Sequence, residues 1–245
     1  MKTRIFVADD HAIVRRGLAA VIGDESDLEL CGEAEDCATA TSEVNRLRPD
    51  VVIADISLRG NDGIELIKNI KAFDPRIQIV VFSVHDESVY ALRVLKAGAK
   101  AYVTKQEVAS KVIDAIRKVR SGQIYVSERI SRQMLNRFVK GDDEVSDSPV
   151  AGLSDRQLEV VTLIGSGLAT REIAARLHMS VKTVETHRAH IMARVNVTSA
   201  ARLVQFCIRW VEECKRRENV GEGPAQVQPP EPVELSPKKR AGKII

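Results

Sequence analysis

Along the first 120 residues, short apolar runs alternate with stretches whose apolar residues recur every three to four positions. Ile5–Ala8, Leu28–Ala34, Val51–Ala54, Ile77–Phe82 and Ala101–Val103 read as strands. Val14–Ile22, Thr39–Leu47, Ile64–Phe73, Val89–Ala97 and Val108–Val119 read as the helices between and after them. Such alternation predicts βαβ units, which right-handed crossovers wind into a parallel sheet covered on both faces. The third and fourth strands are apolar at successive positions, as expected of strands buried on both sides. The expected fold is a doubly wound α/β domain.

Ser121-Gly122 ends the fifth helix, and Ser127–Val139 can continue as another. The run Gly141-Asp142-Asp143-Glu144-Val145-Ser146-Asp147-Ser148-Pro149 is acidic, polar and closed by proline, which marks a linker. A second, wholly helical pattern runs from Leu153 to about Lys215. Beyond it, five prolines and three glycines replace core-forming residues, so disorder is expected. The expected division is 1–125, 126–150 as linker helix and acidic linker, 151–214, and a basic, Pro-rich tail over 215–245.

With 44% hydrophobic and 29% charged residues, the chain can build a core, which excludes wholesale disorder. Only 4% of residues are aromatic, which argues against a stacking platform for single strands. Apolar runs are far too short to span a membrane, and Asp9-Asp10 falls where a signal peptide needs apolar residues. A cytoplasmic protein without a membrane partner is therefore expected. Cys31, Cys37, Cys207 and Cys214 show no zinc spacing and read as free thiols. Residues 141–150 hold four acids and no base, whereas the tail has seven bases against four acids. That bias suits a polyanion partner without proving one.

In an open parallel sheet, chemistry sits outside the carboxyl ends of the strands. Here those ends carry Asp9-Asp10, Asp55, Ser83 and Thr104-Lys105. Three converging carboxylates repel one another unless a cation neutralises them, and an all-oxygen site open to water suits Mg²⁺. One carboxylate is then available as a nucleophile towards a phosphoryl group, with Lys105 balancing charge and Ser83 donating a hydrogen bond. Either aspartate of the Asp9-Asp10 pair alone reads better as the cap of the next helix. It is the match at four separate strand ends that points to chemistry.

Asp9-Asp10-His11, Val52-Ile53-Ala54-Asp55, Ser83 and Tyr102-Val103-Thr104-Lys105 together resemble the receiver domain of bacterial two-component response regulators, over residues 3 to about 121. The resemblance implies a flavodoxin-like (βα)5 fold in which Asp55 accepts a phosphoryl group from a sensor histidine kinase. It further implies Mg²⁺ held directly by Asp10 and Asp55, by Asp9 through water, and by the main-chain carbonyl of Ser57. Lys105 and Ser83 would bind the phosphoryl oxygens, and Ser83 with Tyr102 would form the switch pair. Tyr102 reads equally well as a plain half-buried aromatic. Arg59 and Gln106 stand where such receivers commonly have proline, and Ser57 and His85 occupy positions flanking an attacking water.

In the C-terminal part, Ser154 is the expected N-cap of a helix carrying Leu158, Val161 and Ile164. Gly165-Ser166-Gly167 breaks it. A helix from Thr170 to Leu177, a turn at His178-Met179-Ser180 and a helix capped by Ser180 and reaching Val195 make a helix-turn-helix unit. On the last of these, Val184, Ile191 and Val195 face inward, while Lys182, Glu185, Thr186, Arg188, Ala189 and Arg194 lie outward or at the flanks. Lys182, Thr183 and Arg188 suit phosphates, and small Thr186 and Ala189 allow approach to base edges. The same pattern fits an ordinary surface helix.

Leu153-Ser154-x-Arg156, Gly167–Ala174, Leu177–Ser180 and Lys182–Arg188 resemble the LuxR-type domain of NarL/FixJ response regulators, over residues 151 to about 212. By that likeness Glu185, Thr186 and Ala189 sit where bases are read. Glu185 either accepts from a cytosine amino group or pairs with Lys182 or Arg188, and the sequence leaves both open. A final helix, Ala200 to about Glu213, presents Leu203, Val204, Cys207, Ile208 and Val211 on one face, and in the family it supports a homodimer on DNA. The expected protein is a phosphorylation-dependent regulator binding double-stranded promoter DNA, not an enzyme. The alternatives are a Mg²⁺-dependent phosphatase using an aspartyl-phosphate and a phosphorylation-independent DNA-binding regulator. Against the phosphatase, Asp55-Ile56-Ser57 lacks a second aspartate two residues on.

Overall fold

A computed structural model describes residues 2–58, 63–107, 110–140, 150 and 152–220. Arg59, the acidic stretch 141–149 and the tail from 221, including Lys238-Lys239-Arg240, lie outside the described residues.

Five strands, β1 (Thr3–Ala8), β2 (Leu28–Ala34), β3 (Val51–Ala54), β4 (Gln78–Ser83) and β5 (Ala101–Thr104), form one parallel sheet in the order β2-β1-β3-β4-β5. They alternate with α1 (Ala12–Gly23), α2 (Cys37–Leu47), α3 (Gly63–Phe73), α4 (Glu87–Ala97) and α5 (Ser110–Arg120). The period of two along each strand assigns the faces. Ile5, Val7, Val51, Ile53, Val80, Phe82, Ala101 and Val103 pack with Leu18 and Ile22 of α1 and with Val112, Ile113 and Ile116 of α5. The intervening Phe6, Ala8, Val52, Ala54, Ile79, Val81 and Tyr102 pack under α2, α3 and α4. The expected doubly wound sheet is what forms, with element ends shifted by one or two residues.

Caps fix where several helices begin. Asp36 and Asp86 accept from the backbone N–H groups of Thr39 and Ser88, starting α2 and α4. Helix α6 (Glu128–Lys140) lies against α4, tied by the Glu87 side chain accepting from the Ser127 N–H and by Arg129 facing Asp86.

The remaining helices are α7 (Asp155–Gly165), α8 (Thr170–Arg176), α9 (Val181–Arg194) and α10 (Ala200–Val220). Ser154 caps α7 as expected, and Gln157 completes a capping box by accepting from the Ser154 N–H. Replacing Ser154 with alanine should lower stability by about 1 kcal/mol, read as a shifted denaturation midpoint with an unchanged slope. Helix α10 runs to Val220, past the expected end near Glu213, because 214–220 contains neither glycine nor proline before Gly221. Its buried arc is wider than the expected stripe: Phe206, Trp210 and Cys214 join Leu203, Cys207 and Val211, since α10 packs on α7 and also touches α4. No helix among the described residues is long and apolar enough to cross a membrane.

Candidate functional site

The rim of the sheet brings the strand-end residues together. Asp9 follows β1, Asp55 follows β3, Ser83 ends β4 and Lys105 follows β5. Asp9, Asp55 and Ser83 are three of the five buried polar residues among the described residues. Lys105 Nζ sits between two carboxylates, 2.8 Å from Asp55 Oδ2 and 2.6 Å from Asp9 Oδ2. Burial raises the Asp9 pKa above the usual carboxylate value; the hydrogen bond from Lys105 opposes this and the Asp55 charge adds to it. For Lys105, burial favours the neutral amine, but Asp55 and Asp9 outweigh it and hold the ammonium above its ordinary pKa.

The donor set fits a divalent cation. Asp55 Oδ1 is buried and accepts no hydrogen bond, so a strong acceptor is left facing the pocket. One ligand atom from each of Asp9, Asp10, His11 and Asp55 lies within 4.8 Å of the others. Oxygen donors dominate this set, which suits a hard ion such as Mg²⁺. His11 was not among the expected ligands, although it adjoins Asp9-Asp10; its Nδ1 stands 2.6 Å from Asp10 Oδ1.

Beside Asp55, a second contact closes the rim. Ser57 Oγ and His85 Nε2 lie 2.7 Å apart, joining the loops after β3 and β4. Ser83 Oγ is at the limit of accepting from the His85 N–H, at 3.5 Å. Tyr102 is fully buried, not half-buried, and its hydroxyl donates to the His85 carbonyl at 2.8 Å. Burial among aromatic and acidic neighbours pushes its phenol well above the ordinary value, so the hydroxyl keeps its proton.

A separate surface is built by α8 and α9. The turn between them places His178 in the left-handed region at φ 52°, and Ser180 accepts from the Thr183 N–H to start α9. Val184, Ile191 and Val195 are buried, while Lys182, Thr183, Glu185, Thr186 and Ala189 are exposed and Arg188 is half-buried. The Thr186 hydroxyl donates to the Lys182 carbonyl, which leaves its methyl as the group free to meet an apolar partner. Among the described residues, neither Lys182 nor Arg188 pairs with Glu185, so its carboxylate is available at the surface.

Comparison with known proteins follows this division. Residues 5–117 match the response regulator receiver domain, and residues 151–207 match the luxR family of bacterial regulatory proteins. The oxygen regulatory protein NreC of Staphylococcus epidermidis is 37% identical over 211 residues, 84% of this chain and 97% of its own. A LuxR-family two-component response regulator from Aurantimonas sp. SI85-9A1 aligns with a TM-score of 0.53 at 32% identity, covering 57% of this chain and 99% of that one. RcsB of Salmonella enterica, solved on the rprA promoter with phosphomimetic BeF₃⁻, aligns with a TM-score of 0.55 at 26% identity over 84% of this chain and 98% of its own.

Proposed function

The chain belongs to the two-component response regulators with a LuxR-type DNA-binding domain, and from that premise we propose a residue-level account of how it works. Asp55 takes the phosphoryl group of a sensor histidine kinase, and the LuxR-type unit carries the result to promoter DNA. The single observation that carries this reading is Asp55 itself: a buried carboxylate with one oxygen on Lys105 and the other without a hydrogen bond.

That free oxygen is the nucleophile. It attacks phosphorus while the kinase imidazole leaves, and Lys105 neutralises charge on the transferred oxygens. Asp10, Asp55 and the Ser57 carbonyl would hold Mg²⁺, with Asp9 acting through water; bound there, the ion supplies the remaining neutralisation. Ser83 would hydrogen-bond a phosphoryl oxygen, and Tyr102 would follow its movement. The chain itself is the phosphoryl acceptor, and no outside phosphate ester is its substrate. Ser57, two residues after Asp55, offers a hydroxyl already committed to His85 where a phosphatase of this type needs an acid.

On α9, Lys182, Thr183 and Arg188 contact phosphates, and Glu185, Thr186 and Ala189 face bases in the major groove. Two copies seat side by side on the DNA, with exposed Ile208 of α10 in their contact. We assign the receiver to residues 1–125, the linker helix and acidic linker to 126–150, the DNA-binding unit to 151–214 and the tail to 215–245. Titrating a target promoter at several salt concentrations tests the DNA half. Lys182→Ala should weaken binding to all sequences alike and reduce the slope of log affinity against log salt by about 1. Loss of sequence preference with an unchanged slope would overturn the phosphate assignment.

A further inference from the structure

The Ser57–His85 bridge is held from outside its own domain. On the receiver side, Tyr102 fixes the His85 carbonyl and the Tyr90 ring lies 4.8 Å from the imidazole. The remaining side is closed by α7 of the DNA-binding unit, whose Glu159 Oε1 stands 3.9 Å from His85 Nε2, with the two side chains only 12% and 11% exposed. Glu159 is itself steadied by Arg156 at 2.6 Å, and Arg156 also donates to the Leu177 carbonyl at the helix-turn-helix corner. One turn earlier, Arg93 of α4 clamps the start of α7, donating to Asp155 Oδ1 at 2.6 Å and to the carbonyls of Leu153 and Val150 at 3.0 and 3.2 Å.

We infer that Glu159 is a positioning residue for the phosphoryl chemistry at Asp55: through His85 it holds the Ser57–His85 bridge shut, and so sets how fast the phosphoryl group is gained and lost. This rests on Asp55 being the phosphoacceptor. A carboxylate beside Nε2 favours the tautomer with its hydrogen on that nitrogen, donated to Ser57 Oγ. Ser57 lies two residues after Asp55 and His85 two after Ser83, so the bridge ties together the two loops that flank the reacting carboxylate. In acceptance from acetyl phosphate, the Asp55 oxygen bonds to phosphorus and the phosphorus–oxygen bond to acetate breaks, releasing acetate. In loss, a water oxygen attacks phosphorus and the bond to Asp55 breaks, its electron pair returning to the carboxylate. Both water hydrogens leave with the phosphate as H₂PO₄⁻. A closed bridge slows the two alike.

The test is to follow labelling of the full chain by acetyl phosphate with Mg²⁺, and decay after the donor is removed. Glu159→Ala should speed both by about threefold or more while leaving the plateau of labelling nearly unchanged. Arg93→Ala, which frees the start of α7 without touching His85, should do the same. His85→Ala should match Glu159→Ala, and the double variant should be no faster than His85→Ala alone. Glu159→Gln, which keeps an oxygen of the same reach facing the imidazole, should restore most of the wild-type rates. Unchanged rates in Glu159→Ala with Asp55 labelled normally, or effects that multiply in the double variant, would overturn the inference. A wild-type chain that takes no phosphate on Asp55 would overturn the phosphoacceptor reading and this inference with it.

Discussion

Asp55→Asn is expected to abolish phosphoryl uptake, with labelling by acetyl phosphate and Mg²⁺ falling at least ~100-fold on a phosphate-affinity gel. The amide is a poor nucleophile and lacks the charge that draws a cation into the rim. Its carboxylate neighbours are already engaged: Asp9 is buried with Lys105 at 2.6 Å, and Asp10 faces His11 Nδ1 at 2.6 Å. Folding should survive, because asparagine keeps an oxygen to accept from Lys105 and the Asp9–Lys105 pair remains. Removing one of two carboxylates that repel each other also relieves strain, so the melting temperature should not drop. Equal labelling of the variant would place the phosphate elsewhere.

The second large effect runs against helix propensity. Gly63 opens α3, and exchange for alanine in an exposed helix interior would stabilise by about 1 kcal/mol. Here a Cβ would stand 2.3 Å from the Asp55 carbonyl oxygen and 2.7 Å from both the Ile56 Cα and its carbonyl oxygen. All three are backbone atoms, and the Gly63 N–H already donates to the Ile56 carbonyl at 2.9 Å. Nothing flexible can give way, so α3 must lift off the loop that carries Asp55. We expect Gly63→Ala to cost about 2–3 kcal/mol in urea unfolding and to slow labelling by about tenfold. A stabilised variant with normal labelling would contradict this close approach.

Strands β3 and β4 were legible because burial on both faces makes Val51–Ala54 and Ile79–Phe82 continuous apolar runs, and the strand-end chemistry because each group ends its strand or directly follows it. Ser154 and Ser180 were legible as caps for a local reason: the hydroxyl bonds a backbone N–H three residues on. What escaped depends on distant packing. Ser57 and His85 are 28 residues apart and meet only because β3 and β4 are parallel neighbours. Arg93 and Asp155, 62 residues apart, have no periodic signature at all. Tyr102 reads from sequence as a switch residue or a plain half-buried aromatic, and its full burial comes only from packing under α4; the extra buried arc of α10 likewise follows from a contact with α4 that its own stripe does not encode. The residues of α9 proposed to face bases are legible as exposed positions, but which base each would meet is a property of the complex.

In the proposed mechanism, one carboxylate among the three at the rim receives the phosphoryl group. This is tested most directly by reducing the acetyl phosphate-treated protein with borohydride, which converts an acyl phosphate to an alcohol, and sequencing the peptides by mass spectrometry. Homoserine is expected at position 55 alone, dependent on Mg²⁺ during labelling. Homoserine at position 9 or 10, or a phosphate stable to borohydride on a serine or histidine, would contradict it.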